Sequence, residues 1–180
     1  LWVDSSETLV QRALAWKGKR IAVHVDEVRL ASGRTAQREV VVHPGAVGIL
    51  AQTAARDVVL VRQYRHAVGK LLLEIPAGGL EPGESPQVAA GRELAEETGY
   101  IAGRIEHVST FYTTPGFTNE ALHLFRALDL KSGPAQPDED EVIEVVTLGA
   151  KQIELALRSG EIEDGKSLVA LLWWLYRGQA

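Results

Sequence analysis

An α/β fold is predicted, a mixed-sheet sandwich preceded by an antiparallel β-ribbon, and three observations carry that expectation. Apolar, β-branched runs and amphipathic segments are interleaved without regular strand–helix–strand alternation, which points to a mixed sheet rather than a doubly wound parallel one. The 180 residues, 46% apolar and 24% charged, have the length and composition of one compact globular domain, with room for a small appended element. The region from residue 20 to residue 42 reads as two strands around a turn and stands ahead of the rest.

Taken in order, residues 5–16 suit a short helix or arm. Ile21 to Leu30 alternates as a strand, Ala31-Ser32-Gly33-Arg34 reads as a turn, and Arg38 to Val42 resumes a strand. Ala46 to Ala51 and Asp57 to Tyr64 are β-branched runs around a short polar turn, the pattern of a hairpin. Leu71 to Ile75 is a further strand, stopped by Pro76 and Gly78-Gly79. A helix is predicted from Pro86 to Thr98, with Ser85 as N-cap, Pro86 at the first helical position and Gly99 as the stop. Strands follow at His107 to Thr113, Leu122 to Ala127 and Val142 to Leu148. Two helices come last, Lys151 to Ser159 and Ser167 to Arg177, the latter apolar on most sides and expected to be well buried.

Composition excludes several classes of function. The chain has no cysteine, which removes a disulfide framework, a zinc–thiolate site and a cysteine nucleophile. Any metal must be held by oxygen or imidazole, and no two of the five histidines have metal-ligand spacing. A net charge of -5 speaks against a nucleic-acid partner, which needs a cationic field. The longest apolar run, Leu168 to Tyr176, falls far short of the roughly 20 residues that span a bilayer, so no membrane partner is expected. Leu1 to Thr8 show no secretory pattern, and the expected setting is cytoplasmic.

The acidic residues cluster between Glu81 and Glu97 and between Asp138 and Glu144. At about 100° per residue, Val88, Gly91, Leu94, Ala95 and Thr98 fall on one side of the predicted helix and Glu93, Glu96 and Glu97 on the other. Glu93 and Glu97 are like charges at i,i+4 spacing, near a helix C-terminus that disfavours negative charge. A bound divalent cation is the simplest compensation; a solvated acidic face, with Arg92 offsetting Glu96, is the plainer one.

The flanking residues favour the cation. Gly78, then Glu84 after five intervening residues, then after seven more Arg92-Glu93-Leu94-Ala95-Glu96-Glu97-Thr98-Gly99, together resemble the Nudix box, the loop–helix–loop signature of the Nudix hydrolases. The one departure is Tyr100, where that family usually has an aliphatic residue. The resemblance implies a Nudix-type α/β/α sandwich and hydrolysis of a nucleoside diphosphate linked to another moiety, with Mg²⁺ as cofactor and Mn²⁺ or another divalent cation as substitute. Phosphoanhydride cleavage needs neutralised phosphate oxygens and an activated water, which hard divalent ions on oxygen ligands supply. In family terms Glu93 and Glu97 look like core metal ligands, with Glu96 and the carbonyl of Ala77 as further ones. Glu84 and Arg92 look like braces, and Gly78 and Gly99 serve the loop and the cap, places that admit positive φ.

Pro115, sixteen residues after Gly99, resembles the proline marker of the ADP-ribose pyrophosphatase branch, whose loop holds the terminal ribose; Pro115, Gly116 and Glu120 are the candidates here. In that branch a mobile acidic loop supplies the catalytic base and a further metal contact. Glu139 matches the base and Glu141 the contact, and a two-residue shift would exchange them. Arg65 resembles the arginine on the pyrophosphate, and Arg38 and Glu39 lie in the region that approaches the adenine, often across a dimer interface. The resemblance implies residues 1–44 as an arm and ribbon for dimerisation and part of the substrate site, residues 45–180 as the hydrolase domain, and a homodimer. The implied reaction is ADP-ribose to AMP and ribose 5-phosphate, with a broader nucleoside-diphosphate-sugar hydrolase as the enzymatic alternative. A non-catalytic nucleotide-binding module is the alternative of another class; it would be expected to lose box glutamates, and this chain keeps Glu84, Glu93, Glu96 and Glu97.

Overall fold

In the computed structural model, which describes residues 6–134 and 142–177, the first elements are three strands, β1 (Glu7–Lys17), β2 (Ala22–Leu30) and β3 (Thr35–Val42), paired antiparallel in that order. The expected ribbon is therefore three-stranded. The segment expected as a short helix or arm is β1, an edge strand with register shifts between Leu9 and Gln11 and between Leu14 and Trp16. Its helix-tolerant residues are overridden by pairing, and Arg12 grips the buried Asp26 of β2 with two hydrogen bonds of 2.8 and 2.7 Å. These strands belong to one compact unit, Leu1–Gly45 with Tyr112–Ala121. Within it the main chain of the 114–119 turn docks on β3: Val41 N–H donates to the Phe117 carbonyl at 2.7 Å, and Asn119 N–H to the Val41 carbonyl at 3.3 Å.

The other unit, Ala46–Phe111 with Leu122–Ala180, carries the remaining sheet. Its strands are β4 (Ala46–Gln52), β5 (Val58–Arg65), β6 (Lys70–Glu74), β7 (Ala77–Gly79), β8 (Tyr100–Tyr112), β9 (Ala121–Ser132) and β10 (Ile143–Leu148). The order is β10-β5-β4-β9-β8, with β4 and β9 parallel, so the sheet is mixed as expected. β4 and β5 pair only at Ala51↔Val59 and Gln52↔Val58 and then part. The continuous chain β6–Pro76–β7 fills the gap, β6 on β5 and β7 on β4.

Helices cover both faces of this sheet, and the strand alternation sorts the core between them. Leu50, Val58, Leu60, Leu122 and Leu124 point to α2 (Ala150–Ser159) and α3 (Gly165–Arg177), packing with Ile153, Ala156, Leu171 and Trp174. Val47, Ile49, Ala51, Val59, Phe125 and Ala127 point the other way, to Ala89, Ala90 and Leu94 of α1 (Pro86–Thr98). α3 is less enclosed than its composition predicts: Ala170, Leu171 and Trp174 are buried, whereas Val169, Leu172 and Tyr176 are exposed. No described helix is long and apolar enough to cross a membrane.

Candidate active site

α1 is built by local signals. Ser85 Oγ accepts from Val88 N–H at 3.4 Å, Pro86 opens the helix, and Gly99 ends it in the left-handed region at φ 71°, donating to the Ala95 carbonyl. The face it buries is Ala89, Ala90, Leu94, Glu97 and Thr98, which corrects the helical-wheel expectation at two points. Val88 is exposed, because the small side chains of Ala89 and Ala90 make the close approach to the sheet instead. Glu97 lies on the packed side, 4% exposed, where Oε2 accepts the N–H of Ala77 at 3.1 Å. One of the acidic residues thus joins α1 to β7.

Arg92 joins the remaining carboxylates. Its Nε and Nη2 donate to the two oxygens of Glu84 at 2.9 and 2.8 Å. Nη1 donates to Glu93 Oε1 at 2.8 Å and Glu96 Oε2 at 2.9 Å, and Nη2 also reaches the Gly79 carbonyl at 3.2 Å. All five N–H donors of the guanidinium have an acceptor. The Glu84 pair, followed by Glu93 and Glu96, pushes the Arg92 pKa up. Arg92, helped by the Glu81 N–H on the other side, holds the Glu84 carboxyl below the usual carboxylate range. The structure brings Glu84 and Arg92 together and adds the contact to the β7 main chain.

Gly78 makes room for Glu93. A β-carbon at position 78 would stand 2.0 Å from the Glu93 carboxylate carbon and from Oε1. Positive φ is found at Gly99 but not at Gly78, so the requirement at Gly78 is space rather than backbone conformation. Glu93, Glu96, Glu97 and the Ala77 carbonyl are hard oxygen donors on one helix and the strand beside it, the donor chemistry that Mg²⁺ and Mn²⁺ prefer. The cleared space over Gly78 brings a carboxylate against the main chain that offers the carbonyl. Among the described residues no three acidic or histidine side chains form a ready-made cage; Mg²⁺ usually keeps several waters and needs only one or two carboxylates. The residues fit such an ion.

Arg65, at the end of β5, turns its fork inward. Nε and Nη2 donate to Glu74 Oε1 and Oε2 at 2.9 and 2.8 Å, and Glu74, 1% exposed, also pairs with Lys166. Burial pushes the Glu74 pKa up, but Arg65 and Lys166 outweigh it and the net direction is down. Lys166 and Ser167 escaped the sequence reading because their partners Glu74 and Ile75 lie far away in the chain; Asp164, which binds both of them, escaped it with them.

Arg38, Glu39, Pro115, Gly116 and Glu120 belong to the first unit. Arg38 pairs with Glu7 and donates to the Gln37 carbonyl at 2.9 Å, and Glu39 stands opposite Val25 in the β2–β3 register. Pro115 and Gly116 lie in the turn that docks on β3. Glu120 accepts from Thr113 Oγ at 2.6 Å, and its other oxygen is 3.7 Å from His43 Nδ1, which itself accepts the Gly45 N–H. Asn119 Oδ1 accepts the His43 N–H at 2.8 Å, so the turn also holds the main chain at His43. Glu139 and Glu141 lie outside the described residues.

The chain is 38% identical over 167 residues to an ADP-ribose pyrophosphatase of Bacillus subtilis, covering 92% of this chain and 90% of that protein. It is 39% identical, with the same coverage, to a methanol dehydrogenase activator of Bacillus methanolicus. A crystal structure of an ADP compounds hydrolase shares the fold, with a TM-score of 0.84 and 22% identity over 97% of both chains. The NUDIX domain matches residues 42–170, and the chain belongs to the NUDIX family.

Proposed function

We propose that this protein hydrolyses the pyrophosphate linkage of ADP-ribose to AMP and ribose 5-phosphate, with Mg²⁺ or Mn²⁺ as the cation. The observation that carries the reading is the connected set of Glu84, Arg92, Glu93, Glu96 and Glu97, kept whole on α1 and its loops. A module that only binds nucleotide has no need to keep four carboxylates against their mutual repulsion. The ADP-ribose pyrophosphatase relative supports the choice of substrate.

When bound, the divalent ion neutralises phosphate oxygens and lowers the pKa of a water. Glu93, Glu96, Glu97 and the Ala77 carbonyl would hold it. Arg92 orients Glu93 and Glu96, and Glu84 orients Arg92. Glu139 takes the proton of the attacking water as its oxygen bonds to one phosphorus and the bridging P–O bond breaks; Glu141 adds a contact to the ion. Arg65, its plane fixed by Glu74, offers Nη1 to a pyrophosphate oxygen. Arg38 and Glu39 are assigned to the adenine and Pro115, Gly116 and Glu120 to the terminal ribose, on their resemblance to this branch.

The reading includes a homodimer. Leu9, Val10, Leu14 and Trp16 are about half exposed or more on an edge strand, an arrangement that a second subunit would cover. Pairing of the ribbons would bring Arg38 or Glu39 to the partner subunit's adenine pocket.

A panel of ADP-ribose and other nucleoside diphosphate sugars, hydrolysed with Mg²⁺ in H₂¹⁸O, tests the reading. ADP-ribose is expected to give the highest kcat/KM, with AMP and ribose 5-phosphate as products and label on one of them. Comparable rates across the panel would establish the broader hydrolase instead.

A further inference from the structure

The chain entering the site is held residue by residue. Glu74 is engaged by Lys166 and Arg65. Ile75 N–H donates to Ser167 Oγ at 2.8 Å. The Pro76 carbonyl accepts from Ile49 N–H at 2.8 Å, and Ala77 N–H donates to Glu97 at 3.1 Å. Two adjacent side chains at the start of α3, Lys166 and Ser167, thus fix two adjacent residues of the strand that delivers Ala77. They are themselves fixed by one carboxylate. Asp164 Oδ2 accepts from Ser167 N–H at 3.0 Å and Ser167 Oγ at 2.6 Å, and lies 3.0 Å from Lys166 Nζ.

Stability alone does not explain this arrangement. Ser167 is fully buried and Glu74 nearly so, between the core residues Leu73 and Ile75. Burying such charges costs desolvation, and well-packed apolar residues of similar volume commonly serve stability as well or better. A polar network of this kind supplies geometry: hydrogen bonds are directional, and metal coordination tolerates errors of only about 0.2 Å. Pro76 has no N–H, so Ile75 is the last amide before Ala77 at which the chain can be tied by a donor.

We infer that Lys166 and Ser167 are positioning residues for the metal site: they clamp Glu74 and Ile75 so that Ala77 presents its carbonyl while its N–H holds Glu97. The inference rests on the metal site proposed above. Neither residue is assigned contact with substrate or ion.

The test is Mn²⁺ binding to the full chain without substrate, read from the electron paramagnetic resonance of free Mn²⁺ well below the unfolding temperature. Ser167→Ala removes the acceptor for Ile75, and Lys166→Met removes the charge but keeps most of the stem. Each is expected to raise the Mn²⁺ Kd at least about fivefold, with the activity lost at low Mn²⁺ largely recovered at high Mn²⁺. Trp174→Phe, a core change on the same helix, is the control for loss of stability and is expected to stay within twofold of wild type. If Ser167→Ala does not fold, Lys166→Met decides by the same criterion. Wild-type Kd in folded Ser167→Ala and Lys166→Met, or an equal loss in Trp174→Phe, would overturn the inference while Glu97→Gln still abolished binding. Wild-type binding by Glu97→Gln would overturn the metal site itself.

Discussion

Gly78 and Glu93 occupy what would otherwise be the same space: a β-carbon on Gly78 would lie 2.0 Å from the Glu93 carboxylate. Separations under 3 Å are essentially never seen for a real β-carbon, so one of the two residues must yield if position 78 gains a side chain. The glycine is the condition for a glutamate resting against the main chain of β7.

Gly78→Ala is therefore expected to displace Glu93 and break its contact with Arg92. The predicted loss in kcat is about 10²-fold or more, the scale of a 1 Å misplacement in an organised site. Circular dichroism should show the fold retained. Activity within threefold of wild type would mean that Glu93 has no positional role.

Arg92→Ala should lower stability by about 2–3 kcal/mol, at or below the lower end for breaking a buried pair, because Arg92 keeps partial solvent access. Arg92→Lys should recover only part, since an ammonium cannot grip both oxygens of Glu84 as the guanidinium does. The Glu84 pKa is lowered in the folded state, so its stabilising contribution is present above the unfolded value of about 4.3 and is lost as pH falls through the folded value. Denaturant unfolding should show the gap between wild type and Arg92→Ala closing below about pH 4. A gap that widens in acid would contradict the assignment.

Glu139→Gln should reduce kcat by about 10²–10⁴-fold with little change in KM, as expected for a general base. Glu141→Gln should instead weaken the dependence on metal. The reverse pattern in steady-state kinetics would exchange the two roles.

Light scattering should give a mass of about 39 kDa, twice the 19.6 kDa chain. Leu14→Glu on the exposed edge strand should shift the protein toward monomer. A wild-type monomer with full ADP-ribose activity would remove the dimer from the account.

What the sequence made legible was local. Ser85, Pro86 and Gly99 lie within a turn of the ends they set, and α1 runs over the predicted residues. The braces of Arg92 were equally readable, because Glu84, Glu93 and Glu96 lie within eight positions of it. Several of the failures share one cause, a partner distant in the chain. Glu97 falls opposite the apolar side on the helical wheel, and its acceptor role toward Ala77, which packs it, spans twenty residues. Lys166 and Ser167 meet Glu74 and Ile75 across ninety-two residues. β1 was read as a helix or arm because only its pairing with β2 makes it a strand. β7, three residues ending in two glycines, has no pattern of its own and exists because β4 and β5 part beside it.

The most direct measurement is AMP release from ADP-ribose by wild type and Glu97→Gln across a Mg²⁺ titration from chelator excess to saturation. The account predicts no wild-type turnover without divalent cation and a saturable rise with it. It predicts that folded Glu97→Gln loses about 10²–10³-fold or more in kcat even at saturating Mg²⁺, the scale of removing one group that stabilises the transition state. Near-normal turnover by Glu97→Gln at saturation, or wild-type turnover that persists in chelator, would contradict it.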